Sequence, residues 1–110
     1  MIVVVFEGIL LEGKMQDYQE RASRYKDKLQ EIAGLISNDR YQSTSDPDKV
    51  LSVSVWKDEE SIRAFRQLEM HIDDEAAGKS GLFKDYRIRI SKILRDYGLN
   101  QRHDAPPSPI

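Results

Sequence analysis

The chain has 110 residues, 33% of them charged, and a net charge of −2. This describes one domain with interspersed charge, and not the basic excess of a nucleic-acid binder. It contains no cysteine, which excludes disulfides, thiolate metal sites and a cysteine nucleophile. No apolar run approaches the roughly 18 residues that would span a bilayer. The segment Met1-Ile2-Val3-Val4-Val5-Phe6 lacks a basic flank and meets Glu7 too early for a secretory signal, so a cytoplasmic location is the expectation. With two histidines and no cysteine, a metal centre would depend mainly on carboxylates. No ligand cluster is visible, and no cofactor is expected.

Ile2 to Leu11 reads as a strand, with Ile2, Val4 and Phe6 on one face and Val3 and Val5 on the other. A strand apolar on both faces is normally covered on both. Met15, Tyr18, Ala22, Tyr25, Leu29 and Ile32 follow at alternating steps of three and four, one stripe of an amphipathic helix. Gly34 is placed to end it in a left-handed cap. Leu35 to Ser43 is a less regular strand, and Thr44-Ser45-Asp46-Pro47-Asp48 is a polar turn. Lys49 to Trp56 alternates, with Leu51, Val53 and Val55 opposite Ser52, Ser54 and Trp56.

Asp58 can cap a second helix, with Glu59 and Glu60 at the positive end of its dipole. Ile62, Phe65, Leu68 and Ile72 form the stripe of that helix, and Gly78 or Gly81 ends it. Tyr86, Ile88 and Ile90 then alternate with Arg87 and Arg89 in a fourth strand that starts near Phe83. The predicted order is strand, helix, strand, strand, helix, strand: an α+β, ferredoxin-like βαββαβ domain over residues 1–98. Residues 99–110, with Ala105-Pro106-Pro107-Ser108-Pro109, read as an extended or disordered tail. The plan leaves one sheet face uncovered. The expected occupants of that face are Val3 and Val5, or Val4 and Phe6, together with Ser52, Ser54 and Trp56. Burying such a patch predicts a homodimer of two face-to-face sheets, with roughly 2,000 Å² or more in the interface.

Three stretches carry a resemblance: Trp56-Lys-Asp-Glu-Glu-Ser-Ile-Arg-Ala-Phe65 with His71 after it, Phe83-Lys-Asp-Tyr86-Arg-Ile-Arg-Ile90, and Arg95-Asp96-Tyr97-Gly98. Together the chain resembles the antibiotic biosynthesis monooxygenase domain family over about residues 1–98. The resemblance implies a dimeric α+β barrel with a pocket between sheet and helices in each subunit. It also implies cofactor-independent oxygenation of a quinol or an aromatic polyketide-like molecule, or else haem degradation. Some oxygenase members carry an Asn four residues before the Trp, where this chain has Ser52. Haem-degrading members use an Asn on the first strand, and Phe6-Glu7-Gly8 has none. Haem degradation is therefore disfavoured.

Among individual residues, Trp56 reads as a core or interface aromatic, or as a pocket wall stacking on a planar substrate. Ser52 and Phe65 are placed to line the same space. His71 lies beside Leu68 at the edge of the apolar stripe. Its reference pKa of about 6.5 suits a general base. Deprotonating a phenol or quinol makes it electron-rich enough to reduce oxygen, and a positioned base contributes roughly 10²–10⁴-fold. The position fits a surface histidine bonded to Asp74 or Glu75 equally well. Arg87 and Arg89 read as a solvated strand face, or as stabilisers of a substrate oxyanion. The alternative to an oxygenase is a non-catalytic ligand-binding or interaction module on the same scaffold.

Overall fold

The computed structural model describes residues 1–66 and 81–105. The elements are β1 (Ile2–Leu10), α1 (Met15–Gln30), β2 (Leu35–Gln42), β3 (Lys49–Trp56) and β4 (Phe83–Lys92). Between β3 and β4 a second helix, α2, is described over residues 59–66. The strands form a four-stranded sheet in the order β2-β3-β1-β4, and every neighbouring pair is antiparallel. This is the ferredoxin-like α+β arrangement. The doubly apolar β1 takes a central position, where neighbours on both sides satisfy its backbone.

Local chemistry sets the helix ends. α1 ends at Gln30 with Glu31 still in the right-handed helical region, so Gly34 is not the expected left-handed cap; at φ +93 Gly34 turns the chain into β2, and a Cβ there would run into the Ser61 hydroxyl. Its carbonyl accepts the Lys57 amide at 2.8 Å, tying the start of β2 to the start of α2. Asp58 caps α2, accepting the Ser61 amide at 2.9 Å and the Ser61 hydroxyl at 2.8 Å. The amide bond first, and then the hydroxyl bond, hold its carboxyl below the ordinary range. In the β2–β3 turn, the Ser43 hydroxyl accepts the amides of Ser45 and Asp46, each at 3.2 Å.

Both helices lie on one sheet face. Ile2, Val4, Trp56 and Ile62 form the buried centre, and Leu29, Ile32, Leu35, Phe65 and Ile88 pack around it. The helix-covered face of β3 therefore carries Val50, Ser52, Ser54 and Trp56, whose partners on β1 are Gly8, Phe6, Val4 and Ile2. This corrects the expectation that Ser52, Ser54 and Trp56 occupy the uncovered face. That face instead carries Leu51, Val53 and Val55 beside Glu7, Val5 and Val3. Alternation sorts a strand into two sets, but it does not say which set meets the helices. Trp56, with 0% exposure, decides it, because its indole needs the volume that only the helix layer encloses.

The start of the Pro-rich tail folds back. The Gly98 amide donates to the Gln101 carbonyl at 2.8 Å and the Ala105 amide to the Arg102 carbonyl at 2.9 Å. The Asp96 amide also reaches the Asp104 carboxylate at 2.7 Å.

Candidate functional site

Cross-strand partners share a face, so the register lays out the floor beneath the helices row by row. One row is Asn38, Ser54, Val4 and Ile90, and the next is Arg40, Ser52, Phe6 and Ile88. Ser54 is 4% exposed and is the buried polar side chain of the described core. Its hydroxyl accepts the Trp56 Nε1–H at 2.9 Å. Two positions apart on one strand face, the pair satisfies an indole donor that would otherwise be stranded. The Trp56 ring also packs on Phe65 at 5.1 Å between centroids. Its indole N–H is therefore committed to the protein, and the ring is enclosed in the core.

Ser52 is half-buried in the neighbouring row. Its hydroxyl faces the Asn38 Oδ1 at 3.5 Å, the outer limit of a hydrogen bond. The loose contact leaves the Asn38 carboxamide and the Ser52 hydroxyl with bonding capacity in reserve. An amide side chain is thus supplied to this spot from β2. The β2–β3 register, with Gln42 opposite Val50 and Asn38 opposite Ser54, brings it there. Counting back from the turn at Thr44-Ser45-Asp46-Pro47-Asp48 would have exposed this neighbour in the sequence.

Towards the other end of the floor an aromatic group surrounds Gly8. Phe6 meets Phe83 edge-on at 5.3 Å and stacks with Tyr86 at 5.7 Å. Tyr18 of α1 meets Phe83 at 5.9 Å. A Cβ at Gly8 would lie 2.8 Å from the Phe83 ring and 2.9 Å from that of Phe6. The glycine is what allows the two rings to close over the strand.

Tyr18 also lines a cleft of about 330 Å³ between α1 and the β2–β3 side, together with Met15, Ala22, Arg40 and Gln42. Burial raises the Tyr18 pKa, and the nearby Arg40 guanidinium partly opposes that shift. The phenol is therefore a neutral hydrogen-bond donor at physiological pH. Sequence periodicity marked Tyr18 as a core residue; the cleft and the arginine come from β2 and are not visible in the helix pattern.

The predicted site residues are divided by the sheet. Trp56, Ser52 and Phe65 converge on the helix side, and Phe65 touches Trp56 directly. Arg87 and Arg89 lie on the opposite face, next to Glu7 and Val5. Arg89 pairs with Glu7 at 3.3 Å, with both side chains substantially exposed. Within one chain, neither guanidinium shares a face with Trp56. His71, like Leu68 and Ile72, lies outside the described residues. Among the described residues, no group of three or more His, Asp or Glu side chains is placed to hold a metal, and no helix is long and apolar enough to cross a membrane.

The family model for antibiotic biosynthesis monooxygenase matches residues 1–73. The chain belongs to that family. It is similar to the jasmonate monooxygenase ABM of Pyricularia oryzae, at 31% identity over 101 residues, which covers 92% of this chain and 47% of that protein. The chain therefore spans about half the length of this curated relative. Solved structures share the fold. SnoaB from Streptomyces nogalater, a cofactor-independent oxygenase, superposes with a TM-score of 0.71 at 11% identity, covering 86% of this chain and 94% of its own. MhuD, solved with two manganese protoporphyrin IX molecules bound per active site, gives 0.70 at 10% identity over 89% and 99%. At such identities these two show the fold alone.

Proposed function

We propose that this domain is a monooxygenase acting on a small aromatic, quinol-like or aromatic polyketide-like molecule held between the helices and the sheet. The observation that carries the reading is the half-buried Ser52–Asn38 pair, set beside Phe6 and Ile88 on the face that also carries the Trp56–Phe65 contact. A planar ring suits the aromatic surroundings, and the hydroxyl and carboxamide can orient one oxygen of it. His71 is the proposed base. Deprotonating the substrate would allow it to reduce oxygen itself, without a cofactor.

Oxygen uptake with a panel of hydroquinones and anthrones, extended to jasmonic acid, tests the reading. Turnover of at least one compound is expected, with His71→Ala lowering kcat by about 10² or more. An active preparation in which His71→Ala turns over normally refutes the base assignment. A panel that binds but is never oxidised favours the non-catalytic module. A Soret shift on haem titration would favour haem chemistry.

The uncovered face, with Val3, Val5, Leu51, Val53 and Val55 in one patch, supports a homodimer of opposed sheets. Arg87 and Arg89 then belong to the rim of that interface. In light scattering, Val53→Asp should convert the dimer to a folded monomer. A wild-type protein that is already monomeric at high concentration rejects the pairing.

A further inference from the structure

Arg40 stands opposite Ser52 on β2, an edge strand of the sheet. Its side chain is exposed, and it makes no ion pair, hydrogen bond or ring contact among the described residues. It lines the cleft between α1 and the β2–β3 side, and it is the one charged group among the described residues that do. The cleft therefore carries a positive charge with no acid to match it, and the guanidinium is open to a ligand.

The other walls are of two kinds. Tyr18 brings a second donor from α1. Its hydroxyl has no hydrogen-bond partner among the described residues, and it is not one of the polar atoms sealed from solvent. Burial keeps the phenol protonated, and Arg40 is near enough for its charge to oppose that shift. The two donors thus share one part of the cleft. Gln42 adds no further charge, and its amide N–H is already donated to the Pro47 carbonyl at 2.8 Å. Met15 and Ala22 of α1 and Val50 of β3 supply the apolar surface.

We infer that this cleft binds a small organic carboxylate, with Arg40 and Tyr18 on its oxygens and a short apolar tail against Met15, Ala22 and Val50. A carboxylate presents only acceptors, and the guanidinium fork matches both of its oxygens. A bare inorganic anion would leave the apolar wall unused. The tail is short because a volume of about 330 Å³ is near the lower end for ligand sites, which run from about 300 to 1,000 Å³. Trp56, Phe65 and Asn38 are not among the described residues that line this space. It is a site in addition to the one proposed for oxygenation.

The test uses two acids, hydrocinnamate and hexanoate, each paired with its uncharged primary amide. Binding is followed in backbone-amide NMR spectra of the labelled protein. At least one acid is expected to shift the signals of Met15, Ala22 and Val50, and to bind about tenfold or more tightly than its amide. Arg40→Gln should abolish that preference, and Arg40→Lys should keep part of it. Tyr18→Phe should weaken the acid severalfold and leave the amide unchanged. In thermal unfolding without ligand, Arg40→Gln should melt at the wild-type temperature, because an exposed side chain without a partner is replaced. Silence with both acids, equal binding of acid and amide, or a preference that survives in Arg40→Gln overturns the inference. So do shifts centred on Trp56 instead of the cleft. An Arg40→Gln protein that melts well below wild type overturns it too, by showing that the guanidinium serves the fold. Binding is read without turnover, so the result is independent of the oxygen-uptake test.

Discussion

The two faces of the sheet use similar residue types for different ends. On the helix face Trp56 is fully enclosed, and its one polar atom is matched by a buried serine at 2.9 Å. On the open face the valines of β1 and β3 stay half-buried, and the charged pair is a surface contact at 3.3 Å between substantially exposed side chains. Enclosure makes each contact on the first face expensive to lose, while water compensates losses on the second. A polar group on the helix face therefore needs a stated reason, and a charge on the open face does not.

Substitutions should scale with that contrast. The largest effect is expected from Trp56→Ala, which empties the centre of the core. It should cost about 3–5 kcal/mol in urea unfolding, and a loss below about 1 kcal/mol would mean that the enclosed face is not the stable one. Ser54→Ala should come next, at about 1–3 kcal/mol, because it strands the buried indole N–H. A neutral Ser54→Ala would show that the indole finds another acceptor.

The third test uses pH. Burial raises the Tyr18 pKa above its ordinary value of 10.0, so folding favours the protonated phenol. That contribution is complete below the unfolded value and is lost as pH rises through the raised one. Stability should fall at alkaline pH, and Tyr18→Phe should flatten that limb while leaving neutral pH nearly unchanged. An alkaline limb that is identical in both proteins would rule Tyr18 out as its source. The smallest effect belongs to the open face. A double-mutant cycle over Glu7 and Arg89 should give a coupling below about 1 kcal/mol, reduced further by salt. A larger value measured in the dimer would place the pair inside the interface.

Much of the fold is legible from local rules. The step of three and four from Met15 to Leu29 builds α1, Gly34 turns the chain into β2 with a positive φ, and Asp58 starts α2 through Ser61. The site is less legible. Ser52 and Trp56 could be singled out on one strand. Asn38, Arg40 and Tyr18 join them only across β2 and α1, at separations that a linear motif does not sample.

By itself, then, the sequence determined the order of elements, the Asp58 cap and the division of each strand into two alternating sets. These depend on contacts within a few residues, where periodicity and backbone preference act directly. Tertiary structure alone decided which set of β3 faces the helices, and hence that Trp56 and the serines form the floor of the enclosed layer. It also decided that Arg87 and Arg89 stand on the other side. Alternation is symmetric between two faces, and the symmetry is broken only when the helices choose the side whose volume and polar matching they can complete.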